Sequence, residues 1–250
     1  MKTLISFALV SLFIVGAAVA DTSALNILGF SKDGAYFSFE LYGQEDGIGR
    51  YYSNIFFIDV KTDKWAKSPS RFSTEEGSDT GQDLFRSSMQ HAASSITELG
   101  IIYGNMGEFC PVGGFAGTGA ETPGFGDLSG EGQSTDQKQY RFDMGAKTIT
   151  FRLTEVPVEG LLTTHGGIQV KMMKLEMSDS ATGKTTVVAE DKKLPESRST
   201  PIAYDLAGLY RYPVADGEYN LAVLVKYTLP GFEDSVDERF IVIGCSTAQK

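Results

Sequence analysis

Apolar and polar positions alternate most clearly in the first third of the chain. In "AYFSFEL", Phe37, Phe39 and Leu41 alternate with Tyr36, Ser38 and Glu40, which is the period of a strand with one buried face. "NIFFIDV", Asn54 to Val60, is apolar on both sides, as a strand inside a sheet is expected to be. Turn chemistry separates these runs: "KDG" at Lys32 to Gly34, "EDGIG" at Glu45 to Gly49 and "KTDK" at Lys61 to Lys64. The period then changes. Phe85, Met89, Ala92, Ile96 and Leu99 recur at spacings of four, three, four and three, which predicts a helix over 79–99 with Asp79 as N-cap and Gly100 as its stop. His91 falls off that stripe, so it is expected to face solvent or to bond locally.

Between Gly104 and Gln137 the composition shifts to Gly with Pro111 and Pro123, and the strong apolar residues become scattered. This stretch reads as a long irregular loop or linker over 104–137 that separates two halves. Strand patterns return afterwards. "KTITFRLTEV" alternates, "GGIQVKMMKLEMSD" is expected to pair with "KTTVVAED" across "SATG", and "EYNLAVLVKYTL" with "ERFIVIGC" around "PGFEDSVD". The expected fold class is mainly β with one or two helices. A blade-like antiparallel sheet plus helix occupies 21–103, and a β-sandwich-like region occupies 138–250.

The first twenty residues change the picture of where the chain works. "MKTLISFALVSLFIVGAAVA" has Lys2, an apolar run from Leu4 to Val15, and small residues at Ala18 and Ala20. This is the layout of a secretory signal peptide over 1–20, cleaved between Ala20 and Asp21. An uncleaved anchor is the alternative reading, because the run approaches the length of a span. Loss of Lys2 with the leader takes the net charge from −10 to −11. An acidic surface disfavours nucleic acid and anionic lipid as partners, and no later segment has the length of a membrane span. A periplasmic or secreted location follows.

Export also permits a disulfide between Cys110 and Cys245; two unpaired thiols is the other reading, and both remain open. A metal site from these cysteines with His91 and His165 is not expected, since none lies at ligand spacing. No cofactor is called for.

"GFSKDGAYFSFELYG" is similar to one repeat of the WD40-like periplasmic propellers. The matching residues are Phe30, Ser31, Lys32, Asp33 and Gly34, followed by "NIFFIDVKTDKW" as the next strand, with Lys32 where Pro is usual. No second copy follows, and propellers need at least four blades, so the segment is expected to pack against something else in the chain. A wider resemblance covers the mature chain: "LNILGFSKDGAYFSFELYG", "YSNIFFIDV", a helix, and "GLYRYPVADGEYNLAVLVKYTLPGFEDSVDERFIVIG". This order resembles a family of bacterial predicted secreted proteins of unknown function, most clearly at Pro230 to Glu233 and Arg239 to Phe240. The resemblance implies Gram-negative export and no assigned activity, and it carries no functional residues over.

Catalytic signatures are absent from the sequence. "ATGKTT" lacks the first Gly of a phosphate loop, Ser178 standing in its place. Glu121, Asp127, Glu131 and Asp136 in the Gly-rich stretch lack the spacing of a calcium loop. There is no Gly-x-Ser-x-Gly elbow, and only His91 and His165 offer a base. The remaining binding candidates are Arg50, Tyr51 and Tyr52 beside Glu45 and Asp46, where exposed tyrosines could stack on a sugar or anchor a partner. The expectation is an exported, non-enzymatic binding or accessory module with a protein, small-molecule or glycan ligand. A hydrolase with its site between the halves under the Gly-rich loop, or an envelope subunit pairing through an edge strand, are the alternatives.

Overall fold

The computed structural model describes residues 23–44, 50–74, 81–112, 137–164, 166–231 and 236–248. In chain order these form β1 (Ala24–Phe30), β2 (Tyr36–Gln44), β3 (Tyr51–Asp59), β4 (Lys64–Ser73), α1 (Gly81–Glu98), β5 (Glu108–Pro111), β6 (Gln137–Asp143) and β7 (Thr148–Leu162). They continue through β8 (Gln169–Asp179), β9 (Thr185–Glu190), β10 (Ala203–Ala215), β11 (Glu218–Pro230) and β12 (Val236–Ser246). The strands make three antiparallel four-stranded sheets, ordered β1-β2-β3-β4, β12-β11-β10-β5 and β6-β7-β8-β9.

The side-chain alternation of β11 shows how the sheets stack. Leu221, Val223, Val225, Tyr227 and Leu229 join a core with Phe151, Leu153, Met173 and Leu175 of β7 and β8. The intervening Ala222 and Leu224 join a second core with Phe37 and Phe39 of β2 and Ile58 of β3. A strand apolar on both faces lies in a middle layer, since successive side chains point to opposite faces. The β12-β11-β10-β5 sheet is therefore the filling between the other two. Helix α1 covers the outer face of the first sheet, with Ala92 packed on Leu28, Ile55 and Phe57.

The blade-like segment is a four-stranded meander of residues 24–73 whose β1 edge is bonded by the backbone of Ile102, Gly104 and Asn105, and it packs face-on against the middle sheet. Its "SKDG" turn explains the local pattern. Asp33 accepts from the Ser31 hydroxyl at 2.7 Å and the Ala35 N–H at 3.1 Å, bonds that hold its carboxyl below the usual range. Gly34 turns at φ +70° beneath the Tyr212 ring, where a Cβ would stand 2.2 Å from the ring edge. Tyr212 and Asn220 of the middle sheet donate to the Lys32 and Gly34 carbonyls at 2.7 and 2.8 Å.

Three expectations change. Ser38 and Glu40, the polar face of β2, are buried, because α1 and the polar groups around it cover that face. The helix packs Met89, Ala92, Ile96 and Leu99 of the apolar stripe on the first sheet, and the inward face is wider than that stripe, with Leu84 and Ser88 buried beside it; Asp79 lies outside the described residues. Within the stretch read as linker, Glu108–Pro111 is a strand pairing with β10, Leu209 opposite Cys110. Four residues beside Gly107 are too few for alternation to register, and the Arg211 guanidinium grips Glu108 at 2.7 Å.

Candidate functional site

β12 is an edge strand of the middle sheet, and the outer sheets wall its open side. A cleft of about 280 Å³ has Phe240, Ile241, Val242 and Ile243 as its floor. Phe39, Phe56, Ile58 and Trp65 form the wall from the first sheet, and Met173 and Ala189 the wall from the third. A second cleft of about 470 Å³ continues along Gly244–Ala248, between the β3–β4 turn and the β8–β9 hairpin. Asp63 borders both.

Local sequence builds the divider. Asp59 accepts the N–H groups of Lys61 and Thr62, each at 3.0 Å, closing the β3–β4 turn, and Asp63 sits at φ +53°. Its carboxylate then accepts the Gly244 N–H at 2.8 Å. Burial pushes the Asp63 carboxyl up to about 6, with the Gly244 bond and the positive charge of Arg198 pulling the other way. Arg198, at the cleft rim in the Glu196–Arg198 turn, is held by Asp191 at 2.6 Å. Trp65 is 57% exposed and packs its ring 5.4 Å from Phe56. The site thus offers apolar walls, one carboxylate, one guanidinium and a strand edge. Among the described residues that line it there is no nucleophile–base pair.

The residues singled out from sequence fall elsewhere. Tyr51 and Tyr52 belong to β3 and, like Arg50, are half-buried. The Tyr52 hydroxyl bonds the Ser23 hydroxyl and lies over Gly43, where a Cβ would stand 2.9 Å away. The Tyr51 N–H donates to the Thr74 hydroxyl at 3.2 Å. Glu45 and Asp46 lie outside the described residues, as do Ala20, Asp21, His165 and the acids at 121, 127, 131 and 136. His91 is exposed on α1, its ring 5.1 Å from that of Phe72.

Cys110 and Cys245 are both free, correcting the disulfide alternative. They lie on β5 and β12, opposite edges of the middle sheet, three strand spacings or about 14 Å apart, beyond the roughly 7 Å reach of a disulfide. Burial pushes both thiols up.

A second polar cluster is structural. Glu40, 2% exposed, accepts from Asn26 at 2.9 Å and from Ser53 at 2.6 Å, and Ser53 lies 2.7 Å from Ser88 of α1. The β12 cleft escaped the sequence reading because its walls come from three separate stretches. The tryptophan of "KTDKW" is the one sequence signal that could have found it.

Among the described residues no helix is long and apolar enough to cross a membrane, and no three His, Cys, Asp or Glu side chains group as metal ligands. Residues 38–245 match the family described as predicted secreted protein (DUF2259), whose function is unknown. The chain belongs to this family. No curated protein and no solved structure matches it.

Proposed function

We propose that this secreted protein is a non-catalytic binding module and that the cleft along β12 is its ligand site. The observation that carries the reading is the exposed Trp65 beside a cleft whose floor is an uncovered strand edge. Folded chains usually cover or charge such edges, and an apolar cleft with a few placed polar groups is the ordinary form of a ligand site. No group there has the partners of an activated nucleophile, which favours binding over turnover. Export in this reading uses residues 1–20 as a leader, with Asp21 at the mature N-terminus.

Trp65 is the only tryptophan in the chain, so its emission reports on the cleft alone. Titration with anilinonaphthalene sulfonate, a dye that enters apolar clefts, is expected to quench Trp65 saturably. Ala189→Arg, which fills the cleft from the third sheet, is expected to abolish the quenching while leaving the melting temperature nearly unchanged. Quenching that survives Ala189→Arg would remove the cleft as the site, as would hydrolysis of ester, peptide or glycoside substrates lost in a point variant.

A further inference from the structure

We infer that the ligand of this cleft is an extended peptide segment that adds to the middle sheet as a fifth strand beside β12. The inference rests on the cleft being the ligand site. It begins from the direction of the β12 backbone. The Thr247 N–H points to β11, donating to the Tyr219 carbonyl at 2.9 Å, whereas the Gly244 N–H points away, to Asp63. In an antiparallel pair these directions alternate along the strand, and no register shift interrupts the β11–β12 pairing. The N–H and C=O of Phe240 and Val242 therefore face the cleft, and among the described residues nothing pairs with them.

A ligand without backbone-like donors and acceptors would fill the apolar space and leave these four groups dry, which is unfavourable for each of them. An extended peptide supplies both kinds of group at the matching repeat. The walls fit the same occupant. A strand laid about 4.8 Å beyond β12 runs between the outer sheets, each about 10 Å from the middle layer. Its side chains would point alternately at the Phe56–Trp65 wall and the Met173–Ala189 wall, so the preferred peptide is apolar on both faces. Asp63 sets the register. By holding the Gly244 N–H, it stands where an added strand's carbonyl would be, and it limits pairing to the Phe240–Val242 side.

The test uses the full mature chain and a pool of blocked octapeptides. These carry Val, Ile, Leu, Phe or Tyr at alternate positions, Thr or Val between them, and Lys at both ends. The pool is expected to change Trp65 emission saturably. The same pool N-methylated at alternate backbone nitrogens is expected to bind at least tenfold more weakly. Val242→Pro removes an outward N–H without breaking the β11 ladder, a position where an edge strand tolerates proline; it is expected to weaken the unmethylated pool by a similar factor.

Equal binding of both pools, or no binding of either while the dye still quenches Trp65, overturns strand addition and leaves the cleft as a site for another ligand. Loss of dye binding as well overturns the cleft itself. Dimers in light scattering that Val242→Pro dissociates and the peptides do not would make a second copy of this chain the occupant, and would also overturn the inference.

Discussion

The Asp63 carboxylate accepts the main-chain N–H of Gly244 at 2.8 Å, across 181 residues of sequence. The bond ties the β3–β4 turn of one outer sheet to the edge of the middle one. Burial raises this carboxyl from 3.8 to about 6, so between those values the folded state binds more protons than the unfolded chain. The Asp63 contribution to stability therefore falls as pH rises through the window from about 4 to 6, by less than the whole shift because the residue is solvent-exposed and water screens its charge. Asp63→Asn keeps an oxygen acceptor and removes the charge. Its unfolding free energy in urea is expected to gain about 0.5–1 kcal/mol over wild type between pH 4.5 and 7.5, the solvent around the exposed residue screening the rest; parallel curves for the two proteins would contradict the assignment.

Gly244 is required by the sheet above it. A Cβ at this position would stand 2.8 Å from both the Cα and the carbonyl oxygen of Val60, and main chain cannot swing aside as a side chain does. Gly244→Ala is expected to destabilise by about 2–3 kcal/mol through separation of the layers. A change under about 0.5 kcal/mol would mean the two sheets do not approach this closely in solution.

Beneath α1, removal of the Glu40 side chain takes the acceptor from the half-buried Asn26 amide and leaves the buried Ser53 hydroxyl with Ser88 alone. Glu40→Ala is expected to cost about 3 kcal/mol, and Glu40→Gln markedly less, because an amide oxygen still accepts. Amide exchange in α1 should accelerate in the alanine variant before exchange in β11 does. Uniform acceleration would place the network outside the contact between helix and sheet.

The two thiols should titrate as two populations. Cys110 is half-buried and Cys245 fully buried, so a thiol reagent at pH 8 is expected to modify Cys110 slowly and Cys245 only when the chain unfolds. Denatured protein purified without reductant should show two free thiols. Finding none would establish a disulfide that the positions of β5 and β12 forbid.

For export, the mature protein recovered from a Gram-negative host is expected to begin at Asp21, read by N-terminal sequencing. A product that starts at Met1 and stays with the membrane fraction would mean the leader acts as an anchor.

Local pattern was enough for the hairpins and insufficient for the layers. The β8–β9 pairing across "SATG" and the β11–β12 pairing were legible because alternation and turn residues are short-range signals. The burial of Ser38 and Glu40 was not legible, since a polar face goes inside only when a distant element supplies partners, here Ser88 on α1. The cleft was missed for the same reason. Phe56, Met173 and Val242 are unremarkable strand residues, and only stacking three sheets brings them around one edge. Tyr52 misled in the opposite sense, because an aromatic pair beside acids looks exposed until Gly43 and Ser23 are seen to seat it.

Placing the last strands of the chain in the middle layer also has a kinetic consequence. Residues 24–73 can form their hairpins as soon as they are available, yet the surface that Phe37, Phe39 and Ile58 need is built from β11 and β12. A chain threaded through a membrane N-terminus first would hold that half-finished sheet open, its apolar face wet, until more than 150 further residues had followed. In a secreted protein of this design, the early sheet is the part whose apolar face stays wet longest before the last strands arrive.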